Sequence, residues 1–141
     1  MKKLINKPHY FFFILAILVI ISGYLNEGEV VPINFESYYI NLDVWSAGLF
    51  SGVFFILIAV NYFSIAITKK KPKKGLTIAH ILLQIIAIVP FLYYFFTADI
   101  KRSYEEIDFM NSIIVLSFIV FLLACLIHII NFLVSLLLKK E

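Results

Sequence analysis

Charge is what this sequence has least of. Only 15% of its 141 residues are Asp, Glu, Lys or Arg, against 62% hydrophobic, and the mean hydropathy is +0.99. Soluble domains carry about 25% charged and about 45–50% apolar residues. A chain this short has too little interior to hide the surplus, so a soluble globular fold is excluded. Cysteine is nearly absent too: Cys125 stands alone, which excludes an intrachain disulfide. No carboxylate falls inside an apolar run, so an acidic proton or ion relay has no residues to use. A Gly-rich phosphate loop, a Cys-x-x-Cys pair and a plausible Ser-His-Asp set are missing as well. The net charge of +3 is clustered rather than spread, and does not read as a nucleic-acid surface.

What is present is organised around Thr68-Lys-Lys-Lys-Pro-Lys-Lys-Gly75. Five lysines in so short a link favour the cytoplasmic side, because positive loops resist translocation. Pro72 and Gly75 are expected to break any helix there. Apolar runs flank the link. The first span, about 8–25, follows Lys2, Lys3 and Lys7. It resembles a signal peptide in outline but is too long for a signal core and lacks an Ala-x-Ala site, so a retained helix is expected, with Asn6 as its cap. The link 26–43 carries Glu27, Glu29, Glu36 and Asp43 and no cation, and Asp43 stands where an N-cap belongs ahead of the span 44–67. Gly48, Ser51 and Gly52 cluster in that span and would let a neighbouring helix approach closely. The third span, about 76–97, contains Pro90, expected to kink it. Its outer end is aromatic and forms an interfacial belt with Tyr24 and Trp45. Ser103-Tyr-Glu-Glu106 has capping-box spacing, so the last helix is expected over about 104–138 after a link at 98–103.

With both termini and the lysine link inside, ten of twelve Lys/Arg are cytoplasmic and only Lys101 and Arg102 are outside. The expectation is a single all-α domain, 1–141: an integral membrane four-helix bundle, multi-pass in the cell (inner or plasma) membrane, with N- and C-termini cytoplasmic. Its partners are the lipid bilayer and a homo-oligomer or larger membrane complex, not nucleic acid.

Five polar residues lie within the spans: Asn61, His80, Gln84, His128 and Asn131. All fall in the half nearest the lysine link, and His80/Gln84 (i,i+4) and His128/Asn131 (i,i+3) share helix faces. They are expected to form a buried polar cluster joining the second, third and fourth helices. Interhelical bonds of this kind serve as glue. The sharper alternative is a haem or metal held by His80 and His128, with Cys125 as a further metal ligand. Counting from the helix ends puts the two imidazoles about 9 Å apart in depth, which opposes a shared iron. No cofactor and no metal is therefore assigned. His9 is expected at the interface, and a lone buried cysteine is usually a packing residue.

The stretch Ile33–His80 also resembles the C-terminal helices of haem-copper (cytochrome c) oxidase subunit I. Ile33-Asn-Phe-Glu-Ser-Tyr-Tyr-Ile40 is similar to that family's Asp-Thr-Tyr-Phe approach, with Glu36 and Ser37 for the Asp-Thr pair and Tyr38 retained. The basic turn follows, and Gly75-Leu-Thr-Ile-Ala-His80 resembles the family's Gly-Lys-Ile-His helix start. Asp43 and Trp45 stand where the family has haem-ligating histidines, and its copper-ligand helices have no counterpart. The resemblance thus implies a short, degenerate relative without redox ligands. The functional expectation is a small non-enzymatic packing or accessory protein. A small haem- or metal-binding redox protein and a subunit of an oligomeric transporter or channel are the alternatives.

Overall fold

The computed structural model describes residues 7–35, 38–97 and 103–137. Four helices dominate it: α1 (Pro8–Leu25), α2 (Val44–Ile67), α3 (Lys74–Phe96) and α4 (Tyr104–Leu137). Each is long and apolar enough to cross a membrane, so the protein is a multi-pass membrane protein built on a helical bundle. Side chains such as Ile14, Leu57, Ile86 and Leu133 are exposed on the helix flanks, as expected of surfaces solvated by lipid rather than water.

The helix ends follow local chemistry. Lys7, rather than Asn6, occupies the cap position of α1, without a side-chain cap bond, and Pro8 sits in the first turn, where its missing N–H has no partner to lose. Asn6 itself lies outside the described residues. Asp43 caps α2 by accepting from the Ser46 N–H at 2.8 Å. Ser103 and Glu106 close a reciprocal capping box on α4: the Ser103 N–H reaches Glu106 Oε2 at 2.9 Å, and the Glu106 N–H reaches Ser103 Oγ at 3.3 Å. At the far end of α2, Lys70 N–H bonds Ile65 O and Lys69 N–H bonds Ala66 O, the Schellman pattern. Lys69 adopts the left-handed conformation usually given to glycine there, at φ 59°. Gly75, expected to break the chain, lies inside the first turn of α3, which begins at Lys74. One glycine in a first turn costs little compared with the bonds that follow it. Pro90 is carried within α3 without ending it.

An all-helical description omits one element. Residues expected to be a plain link form a hairpin: β1 (Val30–Phe35) pairs antiparallel with β2 (Tyr38–Asp43), in register from Val30↔Asp43 to Phe35↔Tyr38. Glu36 and Ser37, between the strands, lie outside the described residues. Val44 N–H extends the ladder to Glu29 O at 3.1 Å, so the hairpin runs directly into α2. Val31 and Ile33 on one strand face are buried among Tyr94 and Phe95 of α3 and Met110 and Ile114 of α4. The hairpin therefore closes over the ends of α3 and α4 remote from the lysine link.

The bundle is two helix pairs. Contact within α1–α2 and within α3–α4 is dense, and contact between the pairs is sparse. The α1–α2 interface is closed by Gly23, Gly48 and Gly52. A Cβ on Gly48 would stand 2.8 Å from Val19 O and 2.9 Å from Gly23 Cα. Gly48 and Gly52 of the expected small-residue cluster thus serve contact within the chain, with Gly23 of α1 opposite Gly48, while Ser51 borders the space between the helix pairs. Below this crossing, Phe12, Leu15 and Val19 of α1 pack with Phe55, Ile58 and Tyr62 of α2.

Candidate functional site

The intramembrane polar residues meet near the lysine link, and Asn131 is their centre. Its Oδ1 accepts the Lys73 backbone N–H at 3.0 Å, and its Nδ2 donates to Thr77 Oγ1 at 3.0 Å and to Tyr62 Oη at 3.3 Å. Tyr62 Oη in turn lies 2.9 Å from His80 Nδ1. One amide on α4 therefore ties the Tyr62 hydroxyl of α2 to the start of α3. Asn61 Nδ2 meets His128 Nε2 at 3.3 Å, a separate link from α2 to α4. The two sub-networks touch through their rings: His80 and His128 centroids are 4.9 Å apart, and Tyr62 and His128 5.1 Å. Phe12 of α1 stacks on the other side of His80 at 4.7 Å.

Four of the five expected residues, Asn61, His80, His128 and Asn131, are thus brought together. Gln84 is not. It is fully buried, yet neither amide atom has a partner. Its position one helical turn beyond His80 carries it about 6 Å away from the level of Tyr62 and Asn131. Tyr62 and Thr77 are members that the sequence reading passed over. A tyrosine inside an apolar span is itself a signal, because its hydroxyl must find a partner when buried.

The imidazoles also lie closer than counting from helix ends implied. Lys73 N is level with Asn131, so α4 continues past the start of α3 by more than a turn, and the Lys70 ammonium bonds Leu136 O there. At 34 residues α4 is about 51 Å long, well beyond the ~30 Å of hydrocarbon, and helix ends are therefore not a common depth marker. Proximity alone does not make a metal site. Asn131 Nδ2 donates to Tyr62 Oη, and the Tyr62 hydroxyl shares a second hydrogen bond with His80 Nδ1. Asn61 Nδ2 can only donate, so His128 Nε2 must accept. One nitrogen of each imidazole is thus engaged in a protein hydrogen bond, and His80 Nε2 and His128 Nδ1 are buried without a partner. A haem also could not enter between rings in such close contact. Cys125 is half-buried, and among the described residues no three His, Cys, Asp or Glu side chains are grouped to hold a metal ion.

His9, expected at the interface, is buried in the first turn of α1, its ring 5.6 Å from that of Phe63 on α2. Trp45 and Tyr24 do meet at the opposite end of the bundle, edge to face with centroids 6.0 Å apart. No family model, curated protein or solved structure matches this chain.

Proposed function

We propose that this is a small non-enzymatic protein of the cell membrane that works by helix packing, as an accessory subunit of a homo-oligomer or larger membrane complex. The observation carrying this reading is the use made of the buried polar groups. Asn131, Tyr62, Thr77, His80, Asn61 and His128 are engaged mainly with one another, fastening three helices. In hydrocarbon such bonds hold helices together, since water offers them no competing partner. A role beside respiratory complexes rests on the oxidase-like stretch Ile33–His80 alone.

The orientation belongs to the same proposal: lysine link and both termini in the cytoplasm, hairpin outside, as the distribution of Lys and Arg favours. Affinity purification after crosslinking in native membranes tests the accessory role. A reproducible stoichiometric partner or a discrete homo-oligomer is expected, and a protein that is monomeric and uncrosslinked at native abundance overturns it. A Soret band or stoichiometric metal in the purified protein would favour the redox alternative.

A further inference from the structure

Between the two helix pairs, on the hairpin side of the polar network, lies a cavity of about 780 Å³. This is within the range of about 300–1,000 Å³ typical of small-molecule sites. Its walls are apolar and largely aromatic, with Phe54, Phe91 and Phe121 from three helices and the small Ala87 leaving room between them. On α3 it extends from Gln84 to Phe95, about 16 Å of helix, close to the ~15 Å thickness of one hydrocarbon leaflet. At the hairpin end it is bordered by Asn41, Asp43 and Ser46. Its flank opens between α2 and α4, where Phe50 and Phe118 border it and are 73% and 52% exposed on the lipid-facing surface.

Gln84 marks the deep end. It is the innermost α3 residue of the lining, is 0% exposed, and has both Oε1 and Nε2 without a partner. Leaving a primary amide unbonded in an apolar setting is unfavourable, and the other buried polar groups are too far along the helix to relieve it. A ligand group that both donates and accepts would satisfy the two atoms together. Charge narrows the choice: among the described residues lining the cavity none is cationic, and Asp43 at the hairpin end repels a carboxylate there.

We propose that this cavity binds a single-chain amphiphile taken laterally from the bilayer, with a neutral hydroxyl-bearing head, alcohol or protonated carboxylic acid, held by the Gln84 amide and its chain lying among the phenylalanines. The head then sits near mid-bilayer, inverted relative to a membrane lipid. This site lies beyond the polar network and does not rest on the accessory role.

The test is saturable binding of radiolabelled 1-hexadecanol and palmitic acid, in separate arms, to the delipidated full-length protein in detergent. One-site binding of at least one probe is expected; the arm that binds identifies the head as alcohol or acid. Gln84→Leu should weaken that binding tenfold or more while the unliganded protein melts no lower than wild type, because an unpartnered amide has been removed. Ala87→Phe, which fills the cavity, should abolish it in protein that remains monodisperse. Absence of saturable binding in both arms, or Gln84→Leu binding as tightly as wild type, overturns the proposal.

Discussion

Asn131 makes three bonds with one amide, to the Lys73 backbone N–H, the Thr77 hydroxyl and the Tyr62 hydroxyl; the Thr77 hydroxyl also donates to Lys73 O and the Tyr62 hydroxyl also bonds His80 Nδ1. Replacing it with leucine breaks all three bonds and leaves the Lys73 N–H without its acceptor. Asn131→Leu is expected to destabilise the protein by about 1–3 kcal/mol, read as a lowered melting temperature in detergent. Tyr62→Phe removes two bonds, to Asn131 and to His80, and should cost about 1–2 kcal/mol. The opposite sign is expected at Lys69. Its left-handed backbone, φ 59°, costs an L-residue roughly 1–2 kcal/mol, so Lys69→Gly should raise the melting temperature, with Lys69→Asn intermediate. The sequence exposed Asn131 and His80 because polar side chains within apolar runs are rare. It did not expose Tyr62, whose ring belongs in such a run and whose hydroxyl matters only once its neighbours are placed. Nor did it show that Gln84 would be left out, since an i,i+4 relation fixes a face but not the depth of the partners across from it.

At the scale of elements, the α1–α2 crossing and the hairpin carry the fold. The glycines differ in what confronts them. At Gly48 an added side chain meets backbone of α1, whereas at Gly52 it meets chiefly the Ile20 side chain at Cγ1 and Cδ1, with Ala16 O at 3.3 Å, so relief there requires Ile20 to shift. Gly48→Leu is therefore expected to cost about 1–3 kcal/mol or more and Gly52→Ala clearly less, compared by thermal unfolding. Asp43 joins the hairpin to α2. The Ser46 hydroxyl and backbone N–H hold its carboxyl below the usual carboxylate range. A carboxyl lowered in the folded state stabilises fully above its ordinary value, about 3.9, and that contribution is lost as pH falls through the lowered folded value. Asp43→Ala should thus lower the melting temperature at neutral pH, and the gap to wild type should narrow as pH falls below the ordinary carboxylate value of about 3.9. The four helices were legible because apolar runs of spanning length and their caps are local signals. The hairpin was not, although Val-Val-Pro-Ile-Asn-Phe and Tyr-Tyr-Ile-Asn-Leu-Asp have strand composition and are separated by two residues. Reading the segment for its acidic residues obscured its alternation.

For the whole molecule, orientation is the property that decides where each end acts. In a Cys125→Ser background, a cysteine at Glu29 or Lys101 should react with an impermeant maleimide on intact cells. A cysteine at Lys73 should react only after permeabilisation; labelling of Lys73→Cys from outside would invert the topology. The two-pair construction has a further effect on how the molecule holds together. Because contact is dense within α1–α2 and within α3–α4 but sparse between them, the polar network, the Phe12 ring stack on His80 and the hairpin packed on α3 and α4 fasten the pairs together. The cavity occupies the remaining gap between them.

The bond from Lys73 N–H to Asn131 joins residues 58 positions apart, and synthesis runs in one direction. When α3 leaves the ribosome, the chain that completes its first turn has not yet been made. The pair α1–α2 can already be packed, but Tyr62, Thr77 and the backbone at Lys73 must wait in the membrane for α4 to arrive. The lysine link, although central in sequence, is thus among the last parts of the protein to acquire a fixed shape during biogenesis.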